Sequence, residues 1–160
     1  MEMYDDPNTV EKTFDPDFLS EELLQAQWAE FVELKKVITE LSQKKGSPIT
    51  ILDIGIGNAR IPKHLSGIKE IWGMIKHYDA IDNSKNCIQI SNKVISDLKI
   101  QNKVSSKFYN ALNLSRWNKK YDLIITTWFT AGNFYPEDFP FEIYADSNKK
   151  LNLNRNEKFE

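Results

Sequence analysis

The segment Ile49–Arg60, ITILDIGIGNAR, limits the fold more than any other part of the chain. An apolar, β-rich run from Ile49 to Ile54 leads through Asp53 into Gly55 and Gly57, and residues able to start a helix follow. A short apolar run of this kind suits a strand buried on both faces, as in a parallel sheet. Gly55 permits a tight turn, and Gly57 lets a ligand approach the backbone with no Cβ in the way. A dinucleotide fingerprint asks for Gly or Ala where Arg60 stands, and no Gly-Lys-Ser/Thr phosphate loop is present. The turn therefore reads as a ligand loop of neither of those two kinds.

Around it the chain alternates between strand and helix patterns. Residues 1–18, with Pro7 and Pro16, read as an irregular acidic arm. A helix over 20–45 follows, with Ser20 as N-cap and Glu21 and Glu22 in its first turn. Its apolar stripe is Leu24, Trp28, Phe31, Leu34, Ile38 and Leu41, and Lys44, Lys45 and Gly46 close it. The core starts at 48. Helices are expected over Ala59–Leu65, Ile68–Lys76 and from Asn83 or Ser84 to about Leu98. The last of these presents Cys87, Ile90, Val94 and Leu98 on one side. Further strands are expected at Tyr78–Ile81, Val104–Tyr109 and Tyr121–Trp128. The alternation predicts an α/β fold, a doubly wound parallel sheet built from right-handed βαβ units. Residues 19–144 form one domain, and 145–160 a polar tail.

Composition excludes several classes. The single Cys87 and two histidines leave no disulfide framework and no structural zinc site, so no metal is expected. No apolar run is long enough to span a bilayer, and the acidic start does not read as a signal peptide; a cytoplasmic protein without a membrane partner is expected. Charge is uneven: residues 1–34 carry −9 and the remainder +7. The lysine pairs lack interleaved aromatics, so a nucleic-acid groove is not indicated.

Ligands of open α/β sheets lie at the carboxyl ends of the strands, where the second strand ends in Asp82. That carboxylate can accept ribose hydroxyls or cap the next helix. With the glycine loop ahead of it, the segment Phe31–Phe134 resembles the class I, Rossmann-like S-adenosylmethionine-dependent methyltransferases. LDIGIG matches the family's first motif, with Ala59 where many members have a third glycine. Asp82 matches its second, Asn110-Ala111 stand where an Asp-Ala pair reaches adenine, and YDLIITTWF matches its fourth. The resemblance implies S-adenosyl-L-methionine as cofactor, held by Asp53, Gly55, Gly57, Asp82, Asn110, Ala111 and Thr127. It implies methyl transfer by in-line displacement, with no metal and no covalent intermediate.

The methyl acceptor is not identified by the residues; a small molecule is among the candidates. Trp128, Phe129, Asn133 and Phe134, after the fourth strand, are the acceptor-site candidates, and no catalytic residue is assigned. His64 or His77 could serve as a base, but each reads first as a packing or surface histidine. Four of the family's usual seven strands are recognisable. Two readings follow: a shortened methyltransferase, or a non-catalytic remnant that binds the cofactor or a protein. The missing strands leave two expectations: the chain is a shortened form of a longer enzyme, or a partner chain or second copy completes its sheet.

Overall fold

The structure is a computed structural model that describes residues 19–127 and Lys150. Helix α1 (Glu21–Lys45) is followed by β1 (Ile49–Ile54), α2 (Arg60–Ser66), α3 (Lys69–Gly73) and β2 (Ile75–Asp82). Then come α4 (Lys85–Asp97), β3 (Val104–Phe108), a 3-10 helix (Ala111–Arg116) and β4 (Leu123–Ile125). The strands form one parallel sheet in the order β3-β2-β1-β4. This is the α/β arrangement expected, with β1 central and its carboxyl end flanked by those of β2 and β4.

Side-chain alternation along β1 sorts the core into two layers. Ile49 and Ile51 face Phe31, Leu34 and Ile38 of α1, Ile61 and Leu65 of α2, and Ile95 of α4. Leu52 and Ile54 face the opposite way, against Ile81, Ala111, Leu114 and Tyr121. Among the described residues the four α-helices thus cover one face, and the 3-10 helix covers the other.

Caps fix the helix ends much as read. Ser20 accepts the Leu23 N–H, and Gly46 ends α1 in the left-handed region at φ 68°. Ser84, rather than Asn83, caps α4 by accepting the Cys87 N–H. Other boundaries move. The expected helix over 68–76 shrinks to Lys69–Gly73, because Ile75 and Lys76 join β2, where Ile75 pairs with Ile49. The fourth strand covers only Leu123–Ile125 of the expected Tyr121–Trp128, and Trp128 lies outside the described residues.

Two helix faces also turn. In α4 the buried line is Cys87, Ser91 and Ile95, while Leu98 is exposed. Ser91 enters the core because its hydroxyl bonds to Ser106 Oγ at 2.9 Å and to the Ile88 carbonyl. In α1 the buried line is Gln27, Phe31, Leu34 and Ile38; Leu24 and Trp28 remain exposed.

Polar contacts tie the strands together below the site. Asp122, at the start of β4, accepts from the Thr50 N–H, the Thr50 hydroxyl and Lys45 Nζ at 2.7, 2.9 and 2.6 Å. That places the C-terminus of α1 at the amino edge of the sheet. On the other face, Asp79 is buried and accepts from Tyr121 Oη and Lys119 Nζ, each at 2.7 Å, and from Ser105 Oγ; His77 Nε2 lies 3.0 Å away. Among the described residues no helix is long and apolar enough to cross a membrane, and no cluster of three or more His, Cys, Asp or Glu side chains could hold a metal.

Candidate functional site

The turn after β1 is built from left-handed residues. Gly55, Gly57 and Ala59 have φ of 89°, 55° and 63°. The two glycines adopt these values without a Cβ penalty; Ala59, which is fully buried, does not. Ala59 therefore holds, at some cost, the conformation a third glycine would take freely.

The turn folds down onto the tip of β2. The Gly55 and Ile56 N–H groups donate to the Ile81 carbonyl at 2.8 and 3.2 Å, and the Gly57 N–H donates to Asp82 Oδ2 at 2.9 Å. These three amides are thus spent inside the protein. The other carboxylate oxygen of Asp82, Oδ1, accepts the Ser84 N–H at 2.8 Å. Asp82 thus holds the segment entering α4, whose N-cap is Ser84, and also faces the glycine turn. Burial raises its pKa, outweighing the backbone donors Gly57, Ser84 and Asn83.

Asp53 lies beneath the turn and is buried. Its Oδ2 accepts the Tyr78 hydroxyl at 2.7 Å, and its Oδ1 has no hydrogen-bond partner. Burial pushes this carboxyl up to about 7, although the Tyr78 hydrogen bond and the Arg60 charge pull it down. Nearby Asp82 and Glu30 add to the upward shift. Asn58, in the turn itself, also has a buried side-chain oxygen without a partner. Buried acceptors are seldom left open in proteins, so a pair beside one turn marks a place where a donor belongs.

Helix α1 closes this side. Glu30 pairs with Arg60, whose guanidinium lies 5.0 Å from the Phe31 ring centroid. His64 stacks on Phe31 at 3.7 Å between centroids and meets Trp28 edge-on. Burial, with the charges of Lys35 and Arg60, lowers its pKa. Arg60 faces α1, which explains how a large residue is tolerated at the helix start.

Across the sheet, the Tyr109 N–H donates to the Asp82 carbonyl at 2.9 Å, so the residues after β3 adjoin the same edge. Asn110 Oδ1 accepts the Leu112 N–H at 2.9 Å and caps the 3-10 helix, and Ala111 is buried in that helix. The carbonyl proposed for adenine therefore has one lone pair engaged. Thr127 follows the carboxyl end of β4, partly buried. Asp53, Gly55, Gly57, Asp82, Asn110, Ala111 and Thr127 thus share the carboxyl edge of the sheet. Trp128, Phe129, Asn133 and Phe134 lie outside the described residues. The sequence reading missed Gln27, whose side chain is buried with its Nε2 unpartnered. Its signal was positional: Gln27 lies four residues before Phe31, in line with Leu34 and Ile38.

No family model and no curated protein matches the chain. Solved structures do. A protein of Methanococcus maripaludis assigned to the S-adenosyl-L-methionine-dependent methyltransferases superposes with a TM-score of 0.61 at 15% identity, over 91% of this chain and 59% of the other. The N-methyltransferase NodS of Bradyrhizobium japonicum, in complex with S-adenosyl-L-homocysteine, gives 0.53 at 18% identity, over 74% and 55%. PKMT2 of Rickettsia typhi gives 0.54 at 30% identity, over 66% and 19%. The chain has the class I methyltransferase fold. In each comparison the chain spans less than two thirds of the other protein's length.

Proposed function

We propose that the chain binds S-adenosyl-L-methionine in the crevice between the glycine turn and Asp82, and serves methyl transfer to an acceptor at the carboxyl end of β4. The observation that carries this reading is the orientation of Asp82, whose carboxylate faces the Gly57 backbone. The residues fit such a ligand. Asp82 retains lone pairs for hydroxyl donors, and the unpartnered Oδ1 of Asp53 suits a cationic or N–H donor.

The bound group would supply an electrophilic methyl on a sulfonium, whose transfer disperses charge. The protein's share is then positioning and exclusion of water rather than acid–base chemistry. Asp82 and the turn fix the nucleoside end, and Asp53, held by Tyr78, faces the amino-acid end. Asn110 Oδ1, already holding the 3-10 helix, keeps one lone pair for the adenine amine. Thr127 and the residues after it, Trp128, Phe129, Asn133 and Phe134, belong on the acceptor side.

A second reading rests on a separate observation. Among the described residues β4 pairs only with β1, although a full sheet of this fold continues beyond it. On this reading a second copy or another chain completes the sheet, and the protein binds the cofactor without turnover. Transfer of a labelled methyl group to a panel of acceptors separates the two. Turnover supports the first reading, and saturable binding of S-adenosylhomocysteine with no turnover supports the second.

A further inference from the structure

Among the described residues β3 is an outer strand of the sheet, paired with β2 alone. Its last two residues, Lys107 and Phe108, are exposed, and Phe108 belongs to neither layer of the core. Charge attends this ring instead. Lys85, the first residue of α4, places its Nζ 5.7 Å from the Phe108 ring centroid. Lys107 points to the other face of the strand, where its Nζ lies 5.8 Å from the Trp117 ring, itself edge-on to Tyr109 at 4.9 Å. Two further cations stand where the 3-10 helix ends at Trp117: exposed Arg116, and Lys150, whose Nζ donates to the Ser115 carbonyl at 3.3 Å.

The charge here is one-sided. Residues 83–121, which build α4, β3 and the 3-10 helix, hold eight Lys or Arg and one acid, Asp97, in a chain of net charge −2. Asp97 lies at the opposite end of α4 from Lys85. Asp82, level with Phe108 in the register, is engaged by the Gly57 and Ser84 N–H groups. Among the described residues no carboxylate pairs with Lys85, Lys107 or Arg116. Cations set around a solvent-facing ring match a partner in which anionic groups and flat rings alternate. Single-stranded nucleic acid is such a partner: its bases stack on an aromatic face and its phosphates take the lysines. An acidic protein or a membrane surface would use the charges and leave the ring without a role. We infer that this edge binds single-stranded nucleic acid, with Phe108 stacking a base and Lys85 and Lys107 holding the phosphates on either side. The lysine pairs of the sequence do not disclose this surface, because Lys85 reaches Phe108 only through the fold. The inference stands independently of the cofactor reading.

The test is fluorescence anisotropy of a short labelled oligouridylate titrated with the full chain over a range of salt concentrations. Saturable binding that weakens with salt is expected. Phe108→Ala should weaken it about fivefold or more, the worth of one stacked base. Combining Lys85→Gln with Lys107→Gln should flatten the slope of log affinity against log salt by about 1.4, for two phosphate contacts on a single strand. Thermal unfolding shows that each variant is folded, and S-adenosylhomocysteine titration should not distinguish either from the unmodified chain. Equal competition by duplex RNA or by heparin, which carry charge without accessible base faces, overturns the inference. So does unaltered affinity in Phe108→Ala, or no binding by the unmodified chain at low salt. Loss of S-adenosylhomocysteine affinity in Phe108→Ala would place the ring in the cofactor crevice and likewise overturn it.

Discussion

Tyr78 donates its hydroxyl to one oxygen of the buried Asp53 carboxylate at 2.7 Å and leaves the other oxygen without a partner. The two residues face each other from adjacent strands, since Ile51 pairs with Tyr78 and Asp53 with Ala80. A half-satisfied carboxylate in the core is unfavourable, and on the proposed reading a cationic or N–H donor of the ligand would relieve it.

This cost has a pH signature. The folded value, about 7, stands above the ordinary carboxylate value near 3.9. The Asp53 contribution to stability is therefore greatest below the ordinary value and is lost as pH rises towards 7. Asp53→Asn removes the charge that burial penalises and is expected to stabilise the protein at pH 8, while weakening S-adenosylhomocysteine. Urea unfolding at pH 5 and pH 8 checks it: the gain should be larger at pH 8.

Asp79 behaves in the opposite sense. Burial alone would raise its pKa, but Lys119, Ser105, Tyr121 and His77 together hold it well below the ordinary value. Its contribution is present above the ordinary carboxylate value and is lost as pH falls through the depressed folded value. Asp79→Ala leaves the buried Tyr121 hydroxyl without its acceptor, while the half-exposed Lys119 turns to solvent, and is expected to cost about 1–3 kcal/mol. Denaturant midpoints at pH 7 measure this, and the difference from the unmodified chain should shrink in strong acid.

The glycine turn yields a third expectation. Gly57 has φ 55°, where a Cβ is strained by about 1–2 kcal/mol. Gly57→Ala should lower stability by about that amount and disturb the N–H that orients Asp82. Chemical denaturation together with ligand titration reads both effects. A fully stable variant with unchanged affinity would show that the turn tolerates side chains.

How far the sequence disclosed this arrangement depends on the range of each interaction. Ser20, Gly46 and Ser84 act within a few residues of themselves, so helix ends were readable from local chemistry. The Gly55–Gly57 turn and Asp82 were readable because backbone sterics and the strand-end rule restrict such positions. Asp79 read only as part of a strand: its partners Ser105, Lys119 and Tyr121 arrive through sheet pairing and a crossover, at separations of 26, 40 and 42 residues. The α1 stripe was read as Leu24, Trp28 and Phe31 because periodicity counts apolar residues. The helix instead turns Gln27 inward where its first turns pass the end of the sheet, and Trp28 is left 60% exposed.

The central claim, that the turn and the tip of β2 hold an S-adenosyl compound, is tested most directly by calorimetric titration of S-adenosylhomocysteine into the unmodified chain and into Asp82→Ala. The account predicts saturable one-site binding by the former and a loss of at least tenfold in the latter, with the fold retained by circular dichroism. Equal affinity of the two proteins, or no binding to either, would contradict it.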